Sequence, residues 1–448
     1  MNRIFTFKQS RSRAILAGVC SIVFAASISA QVTSVKLPAA DSSASFQVQN
    51  SGSATLLRLN GDAGFYYGGV FGTGVIPAQG AGTRLMWYPA KGAFRAGFVS
   101  SAEWDSAYVG INSTAFGYGT LAAGTFSTAM GHNTIASVGA STAMGDGARA
   151  SGSYSTAMGY STTASGSSST AMGNTTTASG SYSTAMGYWS VASAPSSTAM
   201  GSYTKASGTY STAMGDYTTA SGTYSSAMGC YDTASGFAST AMGSYVSTNG
   251  HQGSFIIGDY FPQTPTSSTA DNQMTMRFAG GYNLFADGAA TIGVSLSAGG
   301  NSWSAISDST KKTNFQKADG DYFLSSLSKL RLGSWNYKAQ DAKNYRHYGP
   351  MAQEIFHYFG HDGKGIIGCD TLLASADMDG IMMICLQALE KRTSELQKAN
   401  DKISALQSSV DEMRSEMISM KSELQSLAAA RTGKSQEKIA LNTISKGQ

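Results

Sequence analysis

Between residues 110 and 260 the apolar and polar positions follow a strict 14-residue register. Methionines stand at 130, 144, 158, 172, 186, 200, 214, 228 and 242, with Phe116 in the same register upstream. The consensus is S-T-A-M-G-x-x-T-x-A-S-G-x-x, and alanines recur seven apart inside each unit, as in Ala129 and Ala136 or Ala213 and Ala220. Each seven-residue half fits one short strand and one tight turn, so two halves predict one coil of a β-solenoid. Seven is also the coiled-coil period, but these units are saturated with Gly, Ser and Thr, and a helical glycine costs about 1 kcal/mol. Strands win, with β-branched Thr inside them and Gly where the chain reverses.

Ten coils stacked about 4.8 Å apart make a rod of roughly 50 Å. Alternation in S-T-A-M-G sends Ala to one face and Thr and Met to the other. The alanines are therefore expected inside and a methionine ladder outside. An exposed apolar stripe of that length marks an interface, which closed cyclic association would bury along a common axis.

A different period governs the C-terminal part. Leu389, Leu396, Ile403, Val410, Met417 and Leu424 recur every seven residues, interleaved with Leu406, Met413, Met420 and Leu427. These are a and d positions of a coiled coil, in which Glu416 can face Lys421 of a neighbouring chain. Three chains is the number taken from the families described below, because Ile, Val and Met at a do not fix it.

Charge and composition divide the rest. Arg3, Lys8, Arg11 and Arg13 precede an apolar run from Ala17 to Ala26 and small residues at Ser27, Ser29 and Ala30, the layout of a secretory signal peptide over 1–30. Cys20 does not make it a lipoprotein signal, since Val19 stands where a very small residue is wanted. Without these residues the formal charge falls from +4 to zero, so nothing electrostatic suggests nucleic acid. Residues 31–306 hold 18 charged side chains and 307–448 hold 36, so two differently built parts meet near Ser307. The expected order is a β-rich N-terminal cap over 31–110, the repeat roll over 111–260 and a β-rich connector over 261–306. A small α+β domain over 307–388, the coiled coil over 389–428 and a polar tail over 429–448 follow. No later stretch is long and apolar enough to span a membrane. Cys230, Cys369 and Cys385 are few and far apart, and the five histidines lack ligand spacing, so no disulfide framework, metal site or cofactor is expected.

The S-T-A-M-G repeat resembles the head of trimeric autotransporter adhesins, whose 14-residue units with a small-x-Ala-Ile-Gly core form a left-handed parallel β-roll trimer. Met here replaces the usual Ile or Val. The resemblance implies a mainly β fold, a homotrimer and a secreted or cell-surface location. Those adhesins end in a β-barrel anchor, whereas this chain ends in a helix and polar tail, so self-insertion into a membrane is not carried over.

From Ser307 the chain reads S-D-S-T-K-K, then L-S-K-L-R-L-G-S-W-N-Y-K, then R-H-Y-G-P-M-A-Q-E at Arg346 to Glu354. This resembles the C-terminal intramolecular chaperone of phage endosialidases and tail fibres, a self-cleaving serine peptidase domain. The resemblance implies a catalytic dyad of Ser307 and Lys312, a cut at the Ile306–Ser307 bond, and action on the chain itself alone. A lysine can deprotonate a serine only when neutral, a state favoured by burial and by nearby positive charge such as Lys311. Five residues are about 140° apart on a helix, so the pair can meet only across a turn. His347 is a candidate assistant. A chaperone that gathers three chains would also set the register of look-alike coils before they zip together, and its release would leave a kinetically trapped fibre.

Candidate ligand contacts are Tyr203, Tyr217, Tyr231 and Tyr245, spaced 14 apart and therefore stacked; an extracellular carbohydrate or host-matrix ligand and packing between subunits are the two roles open to them. The alternatives to a surface fibre are a phage-type tail fibre and a solenoid binding sugars or crystal surfaces beside a non-cleaving chaperone. The Thr128, Thr142, Thr156 ladder would serve crystal binding only on a flat, solvent-facing row.

Overall fold

The computed structural model describes residues 45–49, 51–53, 55–60, 65–261, 263–361, 363 and 365–444. The expected signal peptide lies outside the described residues. The chain divides into two compact units, one reaching to Tyr282 together with Ser297–Gly300, the other formed by Asn283–Leu296 and Asn301–Gln448.

The first unit is a parallel β-solenoid of about ten turns. Each 14-residue unit lays one five-residue strand, such as Thr142–Asp146, in a wide sheet and one two-residue strand, such as Arg149–Ala150, in a narrow sheet. Neighbouring coils pair in perfect register, Thr on Thr, Ala on Ala, Met on Met and Gly on Gly. The two halves of the repeat are thus unequal, although both contain seven residues. Gly closes the long strand because it must: Gly131 sits at φ 116°, and a Cβ there would lie 2.0 Å from the carbonyl oxygen of Gly145 in the next coil.

Both alanine columns point inward and are fully buried, Ala129 and Ala136 among them, while Thr128 and Met130 on the opposite face of the long strand are half-buried. The interior is not purely apolar. Ser127 and Ser155 are buried and donate to the carbonyls three residues earlier, at 2.6 Å in each case. Thr134, Thr162, Thr176 and Thr218 fill the remaining inner column.

Corners come every seventh residue, in left-handed conformation. Each corner residue donates its amide to the coil before, as Tyr217 does to the carbonyl of Ser202 at 2.9 Å.

The ends of the roll depart from the repeat. A hairpin of Gly82–Tyr88 and Ala93–Val99 extends the wide sheet upstream, and places Arg95 in the alanine column beside Ala115. Its buried guanidinium donates to the carbonyls of Phe94, Ser113 and Ala122 and to Ser113 Oγ. Burial pulls its pKa down to about 10. Trp104 is buried beside it, its indole donating to the Thr120 carbonyl at 2.8 Å. At the far end Asp232 occupies the inner threonine column 14 residues after Thr218. It is fully buried, and Oδ1 accepts from the Val246 amide at 3.1 Å. Oδ2 has no hydrogen-bond partner among the described residues. Desolvation pushes the carboxyl up to about 6 against the weaker opposing pull of the Val246 amide and Arg277.

The second unit contains a hairpin of Gly333–Trp335 and His347–Gly349 and three helices: α1 (Gly320–Leu327), α2 (Ala352–Phe359) and α3 (Ser375–Ile444). Asp319 caps α1, accepting from the amides of Asp321 and Tyr322. Phe323, Ile355, Phe359, Ile381 and Cys385 form the small core where the three helices meet, and Arg392 on α3 bonds Asp321 on α1 at 3.0 Å. Beyond this core the heptad side chains Leu396, Ile403, Leu406, Val410, Met413 and Met417 of α3 are all exposed. The helix starts inside the expected chaperone domain and runs on through the expected polar tail.

Candidate functional site

Chemistry concentrates at two places, a junction and an edge. The junction lies at the start of the charged C-terminal part. Ser304–Ala305 pairs with Gly293–Ser297, and the Ile306 amide continues the ladder by donating to the Gly293 carbonyl at 3.0 Å. The chain then turns sharply. Asp308 accepts from both the amide and the hydroxyl of Thr310, at 2.9 and 2.8 Å, and these bonds, with help from Lys311, hold its carboxyl below the usual range. The resulting 3-10 turn, Ser309–Lys311, folds Lys312 back so that Nζ lies 2.7 Å from Ser307 Oγ.

That separation serves proton transfer in either direction: an ammonium donates to Oγ, and a neutral amine accepts the hydroxyl proton. Ser307 and Lys312 are both exposed within the single chain. Burial is what favours a neutral lysine, and the described residues of a single chain leave this pair uncovered.

His347 lies elsewhere in the second unit. Its Nε2 pairs with Gln340 Oε1 at 3.1 Å, and its ring stacks on Trp335 at 4.8 Å and meets Tyr337 edge-on. Its hydrogen bond goes to Gln340 rather than to Ser307 or Lys312. In the G-P-M-A-Q-E stretch, Glu354 stands in the first turn of α2 and accepts from the Arg331 amide and guanidinium. Arg331 holds the Glu354 carboxyl below its usual range, tying α2 to the L-S-K-L-R-L-G segment. This partnership was not read from the sequence, although both residues fall inside the motifs quoted above.

The edge runs along one corner of the roll. Tyr203, Tyr217, Tyr231 and Tyr245 stack in succession with centroids 4.7, 4.9 and 5.0 Å apart and planes within 11° of parallel. Trp189 extends the ladder by one coil, and Tyr188 meets Tyr203 edge-on. All five stacked residues have φ between 52° and 57°. A bulky side chain in that conformation costs about 1–2 kcal/mol, and each ring pair offsets about 0.5–1.5 kcal/mol of it. The Tyr188 hydroxyl raises the pKa of Tyr203, and desolvation raises those of Tyr231 and Tyr245. A shorter pair, Tyr210 on Tyr224 at 5.1 Å, lines the other corner.

Among the described residues no group of His, Cys, Asp and Glu is placed to hold a metal ion, and no helix is long and apolar enough to cross a membrane. An apolar cleft of about 570 Å³ in the N-terminal cap is lined by Leu57, Tyr67, Pro77, Leu85, Met86, Trp87 and Phe94; its lining offers no acid–base pair.

The chain thus joins a Gly-stacked solenoid to a helical module with a Ser–Lys pair near its start. Comparison with known families agrees. Residues 109–134, 140–162, 150–176, 164–188, 178–204 and 206–229 match the YadA head domain repeat, and residues 307–362 match the chaperone of endosialidase. The chain thus carries adhesin-type head repeats joined to an endosialidase-type chaperone segment. No curated protein matches the chain.

Proposed function

We propose that this chain is the subunit of an exported homotrimeric fibre of adhesin type, acting at the cell surface or outside the cell. Its C-terminal part drives trimer formation and is then released by cleavage of the Ile306–Ser307 bond. The observation that carries the reading is the 2.7 Å approach of Lys312 Nζ to Ser307 Oγ, at the residue where the chaperone match begins. Ser307 Oγ attacks the Ile306 carbonyl carbon while Lys312 takes the hydroxyl proton. Lys312 returns that proton to the Ser307 nitrogen as the amide breaks, and water hydrolyses the ester between Ile306 and the Ser307 side chain. The products are a carboxylate on Ile306 and a new amino terminus on Ser307.

Exposure of the dyad in one chain and of the heptad seam on α3 point to the same missing element, two further chains. In the trimer the seam is buried as a parallel coiled coil, and desolvation of Lys312 makes it a base. Cleavage then reports completed assembly.

Denaturing electrophoresis tests this. The wild-type protein is expected as two fragments divided after Ile306, Ser307→Ala as one uncut chain, and Leu406→Asp/Met413→Asp, which breaks the seam far from the dyad in sequence, also as one chain. An uncut wild type removes the proteolytic role. A seam variant cut at the wild-type rate removes its coupling to assembly.

A further inference from the structure

The ladder from Trp189 to Tyr245 presents a surface that repeat packing alone does not require. The same corner in earlier coils is turned by Gly119, Asn133, Gly147, Ser161 and Thr175, so small residues suffice to build it. At this corner large aromatics in left-handed conformation occupy five consecutive coils, Trp189 to Tyr245, and Tyr203, Tyr217 and Tyr231 remain 40–45% exposed. Because successive rings are nearly parallel and face one another, the faces of the inner rings are turned toward their neighbours. Solvent meets ring edges and one hydroxyl per coil.

The rim of this row is polar and close to neutral. Ser202, Asp216, Cys230 and Ser244 flank it on the wide-sheet side, and Lys205, Thr219 and Thr233 on the narrow-sheet side. One carboxylate and one ammonium among hydroxyls and a thiol suit a neutral hydroxylated ligand better than a polyanion. The hydroxyls repeat at the coil spacing of about 4.8 Å, comparable to the advance per residue of an extended β-1,4-linked hexose chain, in which successive residues are turned over so that like groups recur at every second residue.

We propose that this edge is a docking row for a neutral β-linked glycan lying along the solenoid axis, gripped by hydrogen bonds to successive tyrosine hydroxyls rather than by stacking on ring faces. This names the ligand class of the fibre and rests on the extracellular reading above. Single contacts of this kind are weak, and a row of them acting on one polymer gains by multivalency.

The test is native affinity electrophoresis of the full-length protein through gels containing hydroxyethyl cellulose, or alginate as the anionic control, with sedimentation velocity on the same samples. The wild type is expected to be retarded by hydroxyethyl cellulose and not by alginate. Tyr203→Phe/Tyr217→Phe/Tyr231→Phe keeps the stack without its hydroxyls and is expected to bind at least tenfold more weakly. The corresponding triple Asn variant, which suits the left-handed corner, is expected to lose retardation with its sedimentation coefficient unchanged. An unretarded wild type, a Phe variant retarded like the wild type, or retardation by alginate alone overturns the proposal. So does a changed sedimentation coefficient in the Asn variant, which would make the row a subunit contact. A trimeric, cleaved but unretarded wild type loses only this inference, whereas a single-subunit protein loses the fibre reading whatever the gels show.

Discussion

Gly173→Ala is expected to open the roll around its coil, lowering stability by about 4 kcal/mol or more. Gly173 has φ 120°, and an added Cβ would lie 2.1 Å from the Gly187 carbonyl oxygen. That oxygen belongs to the next rung of the stack, so neither backbone can yield without breaking the ladder on which both depend. In a solenoid each coil leans on its neighbours, and the damage spreads along the sheet. Thermal unfolding followed by far-UV circular dichroism should show a midpoint lower by roughly 10 °C. Gly139→Ala is the control: its added Cβ finds its nearest neighbour at 3.9 Å, and its midpoint should stay within a degree or two. Equal effects from the two substitutions would refute the close glycine stack as the reason for S-T-A-M-G.

Asp232→Thr is expected to stabilise the roll at neutral pH. Burial pushes the folded carboxyl up to about 6 from an ordinary value of 3.8, so the folded protein holds this proton more tightly than the unfolded chain does. The sign follows from proton linkage: destabilisation by the buried carboxylate is full above about pH 6, shrinks as pH falls through the window between 6 and 4, and vanishes below it. Two pH units correspond to about 3 kcal/mol, from which the lost bond to the Val246 amide subtracts about 1 kcal/mol. Urea unfolding from pH 4 to pH 8 should therefore show the wild type losing ground relative to Asp232→Thr as pH rises. A constant difference across that range would contradict a buried, titrating Asp232.

What the sequence made legible was what the repeat repeats. A 14-residue period, alanines seven apart and alternation in S-T-A-M-G were enough to give coils, an inner alanine column and an outer Thr–Met face, because strand periodicity is local. The unequal halves were not legible. A seven-residue spacing is blind to which glycine takes positive φ, and only the approach of the next coil shows why the long strand ends at Gly. Arg95 and Asp232 were missed for a related reason. Each looks like an ordinary charged residue until register places Arg95 beside Ala115 and Asp232 in the column of Thr218. For Asp232, a charged residue standing where the repeat demands a buried small one was the available signal; Arg95 lies upstream of the repeat and carried none. At the junction, the resemblance to the endosialidase-type chaperone named Ser307 and Lys312, and the Asp308-capped turn between them, which brings Lys312 Nζ to Ser307 Oγ, shows only in the structure. His347 was named only as a candidate assistant, and the Trp335, Tyr337 and Gln340 cluster that engages it depends on pairing of two strands. The tyrosine stack followed from spacing, but ring orientation, which decides between face and edge contacts, is set by the left-handed corner.

In the proposed fibre, identical chains cover the half-buried Met–Thr face, the exposed seam of α3 and the exposed dyad. Sedimentation equilibrium of the uncleaved Ser307→Ala protein measures that directly. The account predicts a single species with three times the subunit mass, stable on dilution; a folded species of one subunit mass, its roll intact by circular dichroism, would contradict it.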